Sequence, residues 1–159
     1  MKRSIGLVIV LTATALATAQ QPLQIYVIDP EGGKAALWIA PSGETVLIDS
    51  GNPGERDLAR LKEAIAAAGV TKIDYLISTH YHVDHIGGLQ ELARQIPVGT
   101  FVDHGPTVEG PAVPGLREQV AGFQAAYAEL WAKAKHLVAK PGDAVPIKGL
   151  DWRIVASAG

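Results

Sequence analysis

The chain has 159 residues, with 14 lysine and arginine side chains against 16 aspartate and glutamate side chains, for a formal net charge of −2. This length corresponds to one domain or part of one, and the nearly balanced charge argues against a general affinity for nucleic acid. The sequence has no cysteine, which excludes disulfide bonds, a lipid-modified cysteine anchor and thiolate metal ligands. Any bound metal must therefore be held by nitrogen and oxygen atoms.

The first 19 residues have the layout of a secretory signal. Two basic residues precede an apolar run over residues 5–17, and small residues follow up to Ala19. The run is shorter than the roughly 20 apolar residues that a transmembrane helix needs, although an uncleaved anchor is the alternative. We therefore expect a signal peptide over residues 1–19, cleaved after Ala19, and one secreted or periplasmic domain over residues 20–159 without a membrane span.

The first half of this domain alternates apolar, β-branched runs with turn residues. Leu58, Leu61 and Ile65 recur at helical spacing, which predicts a helix over residues 55–68. The continuous apolar run at residues 73–79 is typical of a strand buried on both faces. The other predicted strands, of which the second and third form a hairpin, cover residues 23–29, 34–40 and 44–51.

The second half of the domain favours two helices and further strands. Ile86, Leu89 and Leu92 share one face of a helix that Pro97 stops. A long helix is predicted to end near His136, where a cation suits the helix dipole. The remaining predictions are a strand over residues 98–105, a loop over 106–114, the long helix over 116–134 and short strands near the C-terminus.

Three of the five histidines lie within six positions of the segment ISTHYHVDHIGG, residues 77–88. His80 and His82 are two residues apart, so in an extended segment they point to the same side, and Asp84 continues this alternation. His85 follows where the chain turns into the next helix, and two glycines allow helix and loop to approach closely. The group follows a buried strand, at the edge where ligands collect in α/β sheets.

Neutral imidazole and carboxylate are the usual zinc ligands when sulfur is absent. Four candidate ligands exceed the share that one ion takes from a single loop. The pattern therefore predicts two metal ions a few ångströms apart, each receiving two ligands from this segment and the rest from elsewhere. The alternative is a histidine-rich surface loop, or a helix N-terminus capped by Asp84.

The segment THYHVDHIGG resembles the HxHxDH signature of the metallo-β-lactamase superfamily of hydrolases, and VLIDSG (residues 46–51) resembles the family's early strand that ends in an aspartate. The resemblance extends over residues 23–159. Residues 32–54 look most like the branch related to the hydrolase domain of DNA-uptake (competence) proteins. The resemblance implies an α+β fold, a four-layer αβ/βα sandwich with its site at one edge between two sheets.

The same resemblance implies roles for individual residues. His80 and His82 would bind the first zinc ion, and Asp84 and His85 the second. Asp49 would orient a ligand or the motif loop.

The family completes its site with two further histidines and a bridging aspartate that come later in the chain. Where many members carry one of these histidines, residues 155–159 (VASAG) contain none. We therefore expect the chain to hold only the N-terminal half to two-thirds of the sandwich.

His104 ends the strand predicted over residues 98–105. If this strand runs parallel to the motif strand, His104 faces the pocket; alternatively, it is a loop residue bonded to the backbone. Asp103 lies beside it in the sequence and has two similar interpretations: it faces the pocket, or it forms a local turn.

The resulting hypothesis is a zinc-dependent hydrolase, active in the full-length protein, that uses a metal-bound hydroxide on an ester-, phosphodiester- or lactam-type bond. Asp84 would hold both the second metal and the attacking water, and this chain alone is expected to be weak or inactive. The substrate would be a small molecule or a phosphodiester; the DNA-uptake resemblance slightly favours the latter. Removal of the two basic residues at the start changes the net charge from −2 to −4, which argues against strong nucleic-acid binding.

The alternative function is a non-catalytic secreted zinc-binding or degenerate interaction module. The coding sequence beyond residue 159 would discriminate this module from the hydrolase.

Overall fold

The structure is a computed structural model that describes residues 21–107 and 115–157. The predicted signal peptide and its cleavage site lie outside the described residues and stay predictions. Within the described part of the chain, no helix has the length and apolar character to cross a membrane.

One six-stranded mixed sheet organises the domain, with its strands side by side in chain order. The first three strands pair antiparallel and the remaining strands join in parallel. These strands are β1 (Gln24–Ile28), β2 (Ala35–Ile39), β3 (Thr45–Ile48), β4 (Ile73–Ile77), β5 (Val98–Asp103) and β6 (Lys135–Val138).

The helices and a small second sheet complete the described fold. Helix α1 packs on β1 and β2, and the short helices α2 and α3 pack on α4. The helices are α1 (Glu55–Ala67), α2 (Val83–Ile86), α3 (Leu89–Ala93) and α4 (Leu116–Trp131), and the second sheet pairs β7 (Ala144–Val145) with β8 (Trp152–Arg153).

Alternating side chains give the six-stranded sheet two apolar faces. Leu37, Leu47 and Leu76 are fully buried on the face that packs against the helices. Val46 is fully buried on the opposite face, where Val145 of the small sheet covers it. The predicted α+β fold is therefore confirmed, with one helical layer, a large sheet and a small two-stranded sheet on its other face.

The parallel strands β3, β4 and β5 end at one edge of the large sheet. Ile48 is paired with Ile77, and Ile77 with Val102, in the parallel registers of these strands. The residues that follow the three strands are therefore neighbours in space although they are far apart in the sequence. Ligands of open α/β sheets bind at this edge, and the histidine-rich motif directly follows β4.

Two elements differ from the sequence prediction. The single helix expected after the motif is divided into α2 and α3 at the glycine pair. The predicted position of His136 at the end of a helix is wrong: α4 ends at Trp131, and His136 lies in β6. There its Nε2 donates a 2.6 Å hydrogen bond to the buried Asp103 carboxylate, and its ring stacks on Trp131 at 4.1 Å between centroids. These long-range contacts outweigh the local helical pattern.

Candidate metal centre

The motif begins with an extended segment that places two imidazoles together. Nε2 of His80 lies 3.1 Å from Nδ1 of His82, with ring centroids 4.6 Å apart. Tyr81 between them points to the other side, where it is almost fully buried. The two-residue period of extended backbone thus puts both histidines on one side of the loop.

The spacing of this histidine pair fits a shared metal ion. Two nitrogens bound at about 2.0–2.1 Å to one tetrahedral zinc ion are about 3.3–3.4 Å apart, close to the observed 3.1 Å. Burial lowers the pKa of His80, and the neighbouring His85 and His82 lower it further. A lowered pKa favours neutral imidazole at neutral pH, which is the form that binds metal.

The second pair of predicted ligands lies in the first turn of α2. Nε2 of His85 is 3.7 Å from Oδ2 of Asp84, and the His85 ring lies 3.9 Å from the His80 ring between centroids. Both side chains of the pair retain access to solvent, at 18% exposure for His85 and 33% for Asp84. The structure therefore places the four predicted ligands as two neighbouring pairs, which touch through the rings of His80 and His85. Their metal-binding roles stay predictions.

The donor types fit zinc, but the described residues do not form a complete cage. Within residues 21–107 and 115–157, no three or more histidine, aspartate or glutamate side chains are grouped closely enough to hold a metal ion. Catalytic zinc normally has three protein ligands and a water. To hold one zinc ion each, the pair His80 and His82 and the pair Asp84 and His85 would both need a further ligand.

Asp49 supports the cluster from the end of β3. Its fully buried carboxylate accepts hydrogen bonds from the backbone N–H of Thr79 at 2.8 Å, from the Thr79 hydroxyl at 2.7 Å and from Nδ1 of His85 at 2.9 Å. Because a carboxylate only accepts, Nδ1 of His85 carries the proton and Nε2 presents its lone pair. A carboxylate behind a histidine in this way fixes ring orientation and raises ligand basicity.

The backbone of Asp49 has a left-handed φ of 58°. Such a conformation is uncommon for residues other than glycine, although aspartate and asparagine adopt it more readily than most. It turns the chain immediately after β3 and aims the carboxylate at the motif loop. The sequence predicted a supporting role for Asp49, and the structure places it in direct contact with His85.

The glycine pair of the motif packs against the loop that follows β3. A β-carbon on Gly88 would lie 2.7 Å from the carbonyl oxygen of Ser50, and one on Gly87 would clash with the Pro53 ring. The same loop holds α2, because the Ser50 N–H donates a 2.6 Å hydrogen bond to the His85 carbonyl. The close approach predicted from the two glycines is therefore observed.

We expect Gly88→Ala to lower the free energy of unfolding by about 1–3 kcal/mol, the usual cost of overpacking. Denaturant unfolding followed by circular dichroism measures this change. Gly122→Ala is the matched control, because Gly122 lies inside α4 with nothing within 4 Å of an added β-carbon, and alanine favours a helix by about 1 kcal/mol. Equal stability of Gly88→Ala and wild type would contradict the close approach.

His104 lies beside a cavity at the ends of β4 and β5. The cavity has a volume of about 540 Å³, and Thr79 and His104 both line it. His104 is 9% exposed, and no described residue makes a hydrogen bond to its Nδ1. Its ring lies 4.8 Å from that of Tyr81 between centroids. His104 therefore contacts a pocket next to the motif but is not part of the ligand cluster.

Sequence reasoning missed two side chains that stabilise the site. Thr79 bridges Asp49 and the cluster, with its hydroxyl 3.2 Å from Nδ1 of His85. Tyr81 donates a 2.7 Å hydrogen bond from its hydroxyl to the Gly105 carbonyl, which connects the motif loop to the end of β5. Since Asp49 and Gly105 are distant in sequence from these two residues, no local signal identifies the contacts.

Asp103, interpreted from the sequence as a pocket residue or a turn former, does both. It lines the cavity and accepts a 2.8 Å hydrogen bond from the N–H of Gly105, two residues further on, as well as one from His136.

Comparison with known proteins identifies relatives of this arrangement. A family model described as "Metallo-beta-lactamase superfamily" matches residues 29–157. The chain is 37% identical over 76 residues to the coenzyme F420H(2) oxidase of Methanothermobacter marburgensis, covering 45% of this chain and 19% of the oxidase. It is 39% identical over 88 residues to the ribonuclease Z of Clostridium acetobutylicum, covering 55% of this chain and 26% of the ribonuclease. The chain thus spans about a fifth to a quarter of the length of these relatives.

A solved structure supports the same fold. The Rm3 metallo-beta-lactamase aligns with a TM-score of 0.54 at 20% sequence identity, covering 78% of this chain and 45% of the other. The fold of the described residues is therefore a known architecture.

Proposed function

This chain belongs to the metallo-beta-lactamase superfamily, and we propose that the full-length protein is a zinc-dependent hydrolase of an ester-, phosphodiester- or lactam-type bond. Hydrolases are frequent in this superfamily, and a ribonuclease Z is among the relatives of the chain. The proposal includes export, which is supported by the layout of residues 1–19. The resemblance of residues 32–54 to DNA-uptake proteins supports a phosphodiester as the substrate. The nearly balanced charge of the chain argues against strong binding of nucleic acid.

The observation that carries the proposal is the hydrogen bond from His85 to the buried Asp49. A histidine that only fills a surface loop does not need its ring fixed by a fully buried carboxylate at 2.9 Å. Metal-binding histidines almost always donate their second ring N–H in this way. The arrangement therefore supports a metal-binding role better than a fortuitous cluster.

The site residues of this chain have different proposed roles. His80 and His82 would hold one zinc ion, and Asp84 and His85 the other. Zinc supplies a water of lowered pKa and polarises the bond to be broken. Asp84, which is more exposed than His85, its partner in the pair, would orient that water by accepting its hydrogen bond. Asp49 keeps the lone pair of His85 directed at the cluster.

The alternative is a non-catalytic zinc-binding or interaction module. This alternative is favoured by the small number of candidate ligands. The described residues offer only two side chains for each zinc ion, whereas a catalytic zinc ion normally has three protein ligands. Assays of the full-length protein for zinc-dependent hydrolysis discriminate the two functions. Zinc-dependent turnover of a phosphodiester, an ester or a β-lactam at about 1 s⁻¹ or more, abolished by His82→Ala, supports the hydrolase. Stoichiometric zinc binding without turnover of any of the three supports the module.

We expect residues 20–159 alone to bind zinc weakly, with a dissociation constant of about 1 µM or above, or about −8 kcal/mol or less favourable. The reason is that each ion finds only two ligands in the described part of this chain. Titration against a fluorescent zinc chelator measures the affinity, with His82→Ala as the control for binding at the motif. Nanomolar binding lost in His82→Ala would show that this chain already holds a complete site.

A further inference from the structure

Helix α2, which carries the second pair of predicted ligands, is only four residues long. Its last helical hydrogen bond runs from the Gly87 N–H to the Val83 carbonyl at 2.8 Å. In a longer helix the Gly88 N–H would donate to the Asp84 carbonyl, but it donates instead to the loop after β3. The carbonyls of the two ligand residues, Asp84 and His85, therefore need partners from outside the helix.

Two other segments of the chain supply these partners. The Lys34 N–H, just before β2, donates a 3.2 Å hydrogen bond to the Asp84 carbonyl. The Ser50 N–H and hydroxyl, just after β3, both donate to the His85 carbonyl, at 2.6 Å and 3.1 Å. The two segments are also bonded to each other, because the Gly51 N–H donates to the Lys34 carbonyl at 3.0 Å. The backbone of the second ligand pair is therefore held by the loops that follow β1 and β3.

Glycine at position 33 makes the contact between the β1–β2 loop (residues 29–34) and α2 possible. A β-carbon on Gly33 would lie 2.1 Å from the carbonyl oxygen of Asp84 and 3.1 Å from the Asp84 β-carbon. Non-bonded atoms do not approach to 2.1 Å, so a larger residue at this position pushes the loop and α2 apart. By contrast, no described atom lies within 4 Å of a β-carbon on the neighbouring Gly32.

The rest of the β1–β2 loop is fixed to α1 and to the loop after β3. Arg56 in α1 donates to the Pro30 carbonyl at 3.2 Å and forms a 2.7 Å ion pair with Glu31. Nδ2 of Asn52 donates to the same Pro30 carbonyl at 3.0 Å. The loop is therefore anchored on one side and contacts a predicted metal ligand on the other, so it can transmit the position of the fold to that ligand.

We propose that Gly33 is a positioning residue for the second metal position. By its lack of a side chain it lets the β1–β2 loop bond to the peptide of Asp84, and this bond fixes the place from which the Asp84 and His85 side chains reach the metal. Ligands held in this way lose less freedom when the metal binds. The role rests on the proposed function. The first ligand pair precedes α2 in the extended segment, so its affinity for zinc is expected not to depend on the loop.

The zinc affinity of each position in the full-length protein tests this role without requiring activity. His82→Ala removes a ligand of the first position, so the remaining binding reports on the second, and His85→Ala does the reverse. Added to His82→Ala, Gly33→Ala is expected to lower the zinc affinity about 10- to 100-fold, the usual effect of losing a group that orients a ligand. Added to His85→Ala, it is expected to leave the affinity unchanged. Titration against a fluorescent zinc chelator measures both values.

Gly122→Ala is the matched control, because it adds the same methyl group at a position with nothing within 4 Å of it. It is expected to leave the affinity of both positions unchanged. An equal loss at both positions in Gly33→Ala would show that Gly33 supports only the fold. Unchanged affinity at the second position would show that the contact does not position the ligands. Either result overturns the proposal.

Amide hydrogen exchange of the wild-type protein tests the same contact if Gly33→Ala does not fold. Zinc is expected to slow exchange of the Lys34 amide about tenfold, because an ordered Asp84 opens this hydrogen bond less often. The Gly43 amide, which donates to Ala40 in the turn between β2 and β3, is expected to exchange at the same rate with and without zinc. Equal exchange of the Lys34 amide in both states overturns the proposal.

The outcomes separate this inference from the proposed function. If Gly33→Ala weakens the second position as expected but the zinc-loaded protein hydrolyses no ester, phosphodiester or lactam, the hydrolase proposal fails and the positioning role remains. If zinc-dependent hydrolysis is found but Gly33→Ala leaves both zinc affinity and kcat/KM unchanged, the positioning role fails and the hydrolase remains.

Discussion

Replacement of Asp84 by asparagine is expected to lower kcat/KM of the zinc-loaded full-length protein about a thousandfold, roughly 4 kcal/mol of transition-state stabilisation. Asparagine has the size of aspartate but no negative charge, so it binds a metal cation and orients a water less well. The side chain is 33% exposed, so the substitution does not disturb the core. A loss of activity therefore reports on the site and not on folding.

Steady-state kinetics, with the zinc content of each sample measured by mass spectrometry, separates loss of metal from loss of catalysis. Asp151→Asn is the matched control, because Asp151 is 75% exposed and pairs only with Arg153 in the structure described. Activity of Asp84→Asn within tenfold of wild type, at equal zinc content, would show that Asp84 is neither a ligand nor a positioning group for water.

Replacement of Asp49 by alanine is expected to lower the free energy of unfolding by about 3–5 kcal/mol. The change leaves the Thr79 N–H, the Thr79 hydroxyl and Nδ1 of His85 without their acceptor. It also places alanine at a φ of 58°, which aspartate and asparagine tolerate better. Denaturant unfolding measures the loss, and Asp151→Ala, an exposed carboxylate, is expected to change stability by less than about 0.5 kcal/mol.

Asp49→Asn separates support of the metal centre from stability. Asparagine adopts the left-handed backbone and keeps one acceptor oxygen, so folding is retained to a larger extent than in Asp49→Ala. Its amide cannot hold Nδ1 of His85 as a carboxylate does, and the affinity for the second zinc ion is expected to fall about 10- to 100-fold. If zinc affinity is unchanged while His85→Ala lowers it, Asp49 stabilises the fold but does not orient the ligand.

The predicted elements correspond closely to the observed ones where the local pattern is strong. Helix α1 follows from Leu58, Leu61 and Ile65, and all three are buried as their spacing predicts. The helix after the motif is less well predicted, because its apolar period continues through two glycines whose close packing on the Ser50 loop divides it. Periodicity identifies the face of a helix but not the point at which tertiary contact interrupts it.

In the candidate site, too, some features follow from the local sequence and others only from the tertiary structure. His80 and His82 lie on one side of the chain because extended backbone alternates every residue, and this much is determined by sequence alone. The contact of Asp49 with His85 joins residues 36 positions apart. It requires β3 and β4 to pair in parallel, and no local pattern encodes that register.

The sequence by itself determined the order of most strands and helices, the grouping of four side chains with nitrogen and oxygen donors, and the exclusion of cysteine ligands, because these depend on residue type and short-range geometry. Only the tertiary structure decided that Asp49 fixes the His85 ring, that His136 pairs with Asp103 in a strand, and that His104 lines a cavity beside Thr79. Those contacts arise where the ends of parallel strands meet. The physical reason is that side-chain periodicity specifies direction along one element, whereas the relative position of elements depends on the burial of the whole core.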